Sequence, residues 1–85
     1  MDRPINIIYF AWVRERIGTA KETVDTSAAT VGDLLAELRD REERYALALS
    51  DLTAVRVAVD QDLVEMDAPL ANAREVAIFP PMTGG

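Results

Sequence analysis

The sequence predicts a small α+β domain: a mixed β-sheet packed on one main helix. Three observations carry the prediction. One segment, beginning at Thr30, places Val31, Leu34, Leu35 and Leu38 at the i, i+3, i+4, i+7 spacing of an amphipathic helix. Segments that are rich in β-branched residues or alternate in polarity flank it on both sides. A length of 85 residues leaves room for one hydrophobic core, so helix and strands must share it. Residues 1–85 are expected to form a single domain, with residues 80–85 as a flexible C-terminal tail.

Ile5-Asn6-Ile7-Ile8-Tyr9-Phe10 is rich in β-branched and aromatic residues, and Pro4 bounds it too closely for a helix, so it reads as the first strand. Residues 11–17 form a short helical turn that Gly18 stops. Lys21-Glu22-Thr23-Val24-Asp25 is polar and largely alternating, as expected of a second strand with one wet face, paired antiparallel to the first. Thr30 caps the main helix, and Asp33 stands three residues on in the capping-box position. Glu37 with Arg41, and Asp40 with Arg44, are spaced to pair on its solvent side, each contributing only about 0.2–0.5 kcal/mol. Tyr45-Ala46-Leu47-Ala48-Leu49 reads as a short helical or irregular packing segment. Ala54-Val55-Arg56-Val57-Ala58-Val59 alternates cleanly and forms the third strand, valines inward. Asp60-Gln61-Asp62 is a turn, Leu63-Val64-Glu65 a short strand, and Asp67-Ala68-Pro69-Leu70 another turn. Glu75-Val76-Ala77-Ile78-Phe79 is the last strand before Pro80-Pro81 ends pairing.

A right-handed crossover through the helix places either the third or the last strand parallel to the first, which is the topology of the β-grasp, or ubiquitin-like, fold. A ferredoxin-like sandwich would need a second long helix, and the sequence offers none. One helix covers one side of the sheet, so strand parity tells which residues face away. With Val55, Val57, Val59, Val76 and Ile78 toward the helix, the outer face carries Ile8, Phe10, Ala58, Ala77 and Phe79, joined by Leu63. An apolar patch of that kind marks a partner site. The alternative is that Phe10 and Phe79 fold over the sheet edge into the core.

Composition narrows the chemistry. The chain has no cysteine and no histidine, which removes disulfides, the usual ligands of zinc, haem and iron–sulfur sites, and the commonest catalytic base. No metal and no stably bound cofactor are expected. A formal charge of −6, with one lysine and eight scattered arginines, argues against nucleic acid. It suits a basic partner surface, or merely keeps a small protein soluble. No apolar run approaches the roughly 20 residues of a membrane span. Residues 5–13 have the length of a signal h-region, but Asp2 and Arg3 cancel and Arg14-Glu15-Arg16 follows without a cleavage site, so a cytoplasmic protein is expected.

The remaining candidate for chemistry is the end of the sequence, Met82-Thr83-Gly84-Gly85. Two glycines carry no Cβ, so they thread a channel too narrow for other residues and reach backbone angles closed to them. The plain alternative is a frayed end. Pro80-Pro81 stiffens the base of the tail, and six extended residues at roughly 3.3 Å each reach about 20 Å, enough to enter another protein's active site.

Three pieces of the sequence together resemble a known family. They are Phe10-Ala11-Trp12-Val13-Arg14-Glu15, Tyr45-Ala46-Leu47-Ala48-Leu49 and above all Glu75-Val76-Ala77-Ile78-Phe79-Pro80-Pro81-Met82-Thr83-Gly84-Gly85. The family is the small subunit of molybdopterin synthase, a ubiquitin-like sulfur carrier, and the resemblance spans nearly the whole chain. It implies that an E1-like adenylyltransferase and sulfurtransferase uses ATP to adenylate Gly85, which becomes a thiocarboxylate. It implies that the sulfur then passes, in the active site of a large subunit, to a cyclic pyranopterin monophosphate, with the two kinds of subunit assembled as a heterotetramer. Catalytic side chains would belong to the large subunit. By the same resemblance Thr83 and Gly84, with Met82, Pro81 and Pro80, lie in the partner's channel, Phe10, Leu63 and Phe79 match a docking surface, and Arg14 adds a polar contact. Two departures bear on one loop: Asn72-Ala73-Arg74 replaces an Asp-Gly-Asp turn, and Asp60 replaces Asn.

Three other readings remain open on the residues. The chain could be a related carrier for thiamine, cysteine or tRNA thiolation, although Pro80-Pro81 leans against it. It could be a protein modifier whose Gly85 forms an isopeptide bond with lysine. It could also be a β-grasp interaction domain with an inert tail.

Overall fold

The computed structural model describes residues 2–81. In chain order the elements are β1 (Arg3–Tyr9), α1 (Ala11–Ile17), β2 (Lys21–Thr26), α2 (Val31–Arg41), α3 (Glu43–Ala48), a 3₁₀ turn (Leu52–Ala54), β3 (Arg56–Val59), β4 (Asp62–Val64) and β5 (Glu75–Phe79). The five strands form one sheet in the order β2-β1-β5-β3-β4. β1 runs antiparallel to β2 and parallel to β5, while β3 is antiparallel to both β5 and β4. Of the two strands that could lie parallel to the first, it is therefore the last. This is the β-grasp arrangement, with two short helices beside the main one.

Several element ends have direct causes. β1 begins at Arg3, before the proline expected to bound it. Asn6 and Phe10 send their N–H groups toward β5, so the absent N–H of Pro4, which has the same parity, falls short of where that strand starts. Gly18 closes α1 in the left-handed region at φ 94°, its N–H donating to the Arg14 carbonyl at 2.8 Å. Thr30 caps α2, its Oγ1 accepting from the Asp33 N–H at 3.2 Å. Glu42 is extended and separates α2 from α3.

Neither expected surface pair forms, and the break accounts for one of them. Asp40 and Arg44 now sit on different helices, and Arg44 pairs with Glu42 at 3.2 Å. Glu37 instead accepts from the Thr26 hydroxyl at 2.7 Å. The third strand also starts two residues later than its alternation suggests, because Leu52–Ala54 coils into a 3₁₀ turn capped by Asp51, whose Oδ1 accepts from the Thr53 N–H at 3.0 Å.

The core lies on one side of the sheet. Ile5, Ile7 and Tyr9 of β1, Val57 of β3, and Val76 and Ile78 of β5 meet Val31, Leu34, Leu35 and Leu38 of α2, and all are buried. Burying side chains of this size stabilises by roughly 1.5–3 kcal/mol each. Arg3 ties down the loops at one end, its Nη2 donating to the Ala28 and Leu70 carbonyls at 3.3 and 2.9 Å. Among the described residues no helix is long and apolar enough to cross a membrane.

Candidate functional site

Strand register builds the outer face row by row. Ile8 of β1 pairs with Ala77 of β5, Ala77 with Ala58 of β3, and Ala58 with Leu63 of β4. These four residues form an apolar line across four strands, on the side away from the helices. Leu63, at its end, is 69% exposed. Toward the tail, the next row holds Arg56 and Phe79, which are partners across β3 and β5. Toward the other end, Asn6 pairs with Glu75 and with Thr23, giving a polar border. The apolar face anticipated from parity is thus present and contiguous.

At the tail end the chain turns sharply. Phe10 leaves β1 in an extended conformation and serves as the N-cap of α1. Ala11 then adopts φ 51°, a left-handed angle that costs an L-residue roughly 1–2 kcal/mol. The turn throws the Phe10 side chain outward, where it is 47% exposed. A groove of about 390 Å³ opens there, lined by Phe10, Ala11, Ala77, Phe79, Pro80 and Pro81. Its wall is almost wholly apolar. Phe79 is half-buried, and neither phenylalanine belongs to the core.

The predicted site residues therefore divide into groups. Phe10, Phe79, Pro80 and Pro81 come together around one groove. Leu63 lies two strands away, joined to it by the apolar line. Arg14 is exposed on α1 and does not line the groove. Met82, Thr83, Gly84 and Gly85 lie outside the described residues. Ala11 and Arg56 were not legible as site residues: nothing in a sequence marks an alanine for a left-handed angle, and Arg56 reads as one more wet position of a strand.

Polar groups beneath the site hold α1 and α3 against the sheet. Tyr9 of β1 and Tyr45 of α3 both donate to Glu22 Oε2 on β2, at 2.7 and 2.6 Å. Burial first, and then the bond to Glu22, push both phenols above their ordinary range. Arg44 Nη1 donates to the Ile17 carbonyl at 2.8 Å, satisfying the end of α1. The face is thus carried on rigid elements.

Among the described residues no group of three histidine, cysteine, aspartate or glutamate side chains could hold a metal. What the arrangement offers is a rigid apolar surface that runs into the base of the tail. Exposed apolar faces of this extent are characteristic of protein–protein contact sites.

Residues 7–85 match the ThiS family. The molybdopterin synthase sulfur carrier subunit of Escherichia coli (strain K12) is 43% identical over 81 residues, covering 95% of this chain and 99% of that protein. Among solved structures, SAMP1 from Haloferax volcanii superposes with a TM-score of 0.74 at 26% identity, covering 98% of this chain and 100% of that one. A putative molybdopterin converting factor, subunit 1, from Pyrococcus furiosus gives a TM-score of 0.70 at 25% identity, covering 93% of this chain and 98% of that one.

Proposed function

We propose that this chain, which belongs to the ThiS family, is the sulfur carrier subunit of molybdopterin synthase. The observation that carries this reading is the 43% identity to a protein of that name across nearly the whole length of both chains. The apolar face that ends at Phe79, Pro80 and Pro81 supplies what such a subunit needs, a surface by which a larger partner grips it beside its tail.

The reaction centre in this reading is the Gly85 carboxylate. A carboxylate is a poor acyl donor, because its leaving group would be oxide. An E1-like partner overcomes this by letting a carboxylate oxygen attack the α-phosphorus of ATP, releasing pyrophosphate and leaving an acyl-adenylate. A sulfur donor then displaces AMP, and the product is a thiocarboxylate whose sulfur is a far better nucleophile than the original oxygen. Gly84 and Thr83 pass through the large subunit's channel, and the sulfur is delivered there to the cyclic pyranopterin monophosphate. Water cleaves the bond between the Gly85 carbonyl carbon and the transferred sulfur, which stays on the substrate, and the carrier leaves with its carboxylate restored.

Acid–base work falls to the partners, since this chain has no histidine and no cysteine. ATP is consumed in the activating partner's site, and the carrier itself keeps no cofactor. Two carriers and two large subunits in a cytoplasmic heterotetramer complete the assignment. A protein modifier would share the activation and differ in its end product, an isopeptide bond to lysine.

The reading is tested by mixing the thiocarboxylated chain with the large subunit and the cyclic substrate. Dithiolene product should form with the natural chain and not with Gly85→Ala, while the two unfold at the same temperature. Accumulation of lysine conjugates on denaturing gels, without dithiolene, would instead identify a modifier.

A further inference from the structure

β2 is one edge of the sheet, and one side of its backbone is unpaired. The N–H groups of Asn6 and Phe10 point toward β5, while that of Tyr9 donates to the Ala20 carbonyl at 2.8 Å, so alternation assigns Ile5 and Ile7 to the β2 side as well. Their partners across the ladder, Val24 and Glu22, therefore bond to β1 through their backbone groups. Lys21, Thr23 and Asp25 turn theirs outward, and all three residues are exposed. Among the described residues nothing meets these outward groups except the Thr19 hydroxyl, which donates to the Lys21 carbonyl at 3.1 Å.

An open edge of this kind is a template for another strand, and charges on it ordinarily discourage pairing. Here the charges suit one occupant, a second copy of the same edge. In an antiparallel pair with a two-fold axis at Thr23, Lys21 lies opposite Asp25 of the second copy, and Asp25 opposite Lys21 of the second copy. The outward N–H and carbonyl groups of all three residues then fall in hydrogen-bonded positions. Glu22 lies opposite Val24, so no like charges meet across the pair. Neighbouring registers lose this match. An axis at Glu22, Lys21 or Asp25 sets that charge against its own copy, and an axis at Val24 leaves Lys21 across from Ser27.

We infer that β2 pairs with β2 of a second copy, giving a reversible dimer in which the two five-stranded sheets join into one. Beside the edge, on the helix side, a hollow of about 430 Å³ lined by Val24, Asp25, Leu34, Glu37, Leu38 and Arg41 leaves room for the inward side chains of the incoming strand. The two charged helix residues there are already engaged, Glu37 with the Thr26 hydroxyl and Arg41 over the Tyr45 ring at 5.9 Å. Residues 21–25 alone offer far less area than a permanent dimer buries, and two chains of charge −6 repel, so the association is weak and is helped by salt that screens their distant charges. β5 of the two copies runs in opposite directions, and the apolar line of Ile8, Ala77, Ala58 and Leu63 stays open in both. Such a dimer goes beyond the sulfur-carrier reading and does not depend on it.

The test is sedimentation equilibrium of the full-length chain up to about 1 mM, at physiological salt, with proton–nitrogen NMR spectra recorded over the same range. The average mass should rise above the 9.4 kDa of one chain, and concentration-dependent amide shifts should centre on Lys21, Thr23 and Asp25. Lys21→Asp and Asp25→Lys should each self-associate about tenfold more weakly, since both cross-strand pairs become repulsive. Mixed together, these two variants should form a heterodimer of about natural strength, because every facing pair is then opposite in sign. A monomer mass throughout, shifts centred instead on Phe10, Leu63 and Phe79, or a mixture of the two variants that associates no better than either alone would overturn the inference.

Discussion

The Phe10 N–H donates to the Ile78 carbonyl at 3.1 Å, carrying the β1–β5 pairing one residue past the end of β1. Because β1 and β5 run parallel, this bond brings the exit of the first strand and the exit of the last to the same end of the sheet. Phe10 and Phe79 consequently flank the start of the tail. A strand from each end of the sequence is needed to make the groove, which ties the site to the fold itself.

Phe10 is 47% exposed and outside the core, so its side chain should matter more to binding than to folding. Phe10→Ala should weaken the complex with the large subunit about tenfold or more, roughly 1.4 kcal/mol. Its unfolding midpoint in urea should move by the equivalent of about 1 kcal/mol or less. A loss of stability matching the loss of affinity would place Phe10 in the packing of the monomer instead.

Ala11 holds φ 51°, an angle that glycine reaches without steric cost. Relief of about 1–2 kcal/mol is partly offset by the greater freedom that glycine gives the unfolded chain, about 0.4–1 kcal/mol. Ala11→Gly should therefore stabilise the protein by about 0.5–1 kcal/mol, read as a higher urea midpoint. A lower midpoint would mean that the left-handed turn is not the conformation in solution.

The two phenols on Glu22 predict a limit at high pH. Tyr9 and Tyr45 are both held above their usual range in the folded state, so as pH rises the unfolded chain gives up its phenolic protons first. Their contribution is whole below about pH 10 and is lost above it, by up to about 1.4 kcal/mol per pH unit for each tyrosine that stays protonated. Urea unfolding at a series of pH values should show stability falling from about pH 10 upward, and less steeply in Tyr9→Phe. A slope unaffected by that substitution would contradict the shared-carboxylate arrangement.

Residues 75–79 were legible as a strand because an apolar run bounded by two prolines admits little else, and the structure gives Glu75–Phe79. Parity then sorted the faces, since a period of two leaves only two choices and one of them must meet the helix. Long-range competition was not legible. Glu37 has a cation at i+4, yet it accepts from Thr26 on another element, and Arg44 turns to the carbonyl of Ile17 in place of Asp40. The loop whose residues depart from the family's turn pattern keeps a left-handed residue all the same: Asn72 takes φ 66°, an angle that asparagine tolerates better than most side chains. Of the site itself, sequence supplied the aromatic and proline residues, whereas the backbone angle at Ala11 and the register of Arg56 needed coordinates.

The most direct test of the account is intact mass spectrometry of the full-length chain after incubation with the E1-like adenylyltransferase, ATP and a sulfur source. The account predicts a mass gain equal to exchange of one oxygen for sulfur, localised by fragmentation to Gly85. An unchanged mass beside a demonstrably active partner, or sulfur attached at any other residue, would contradict it.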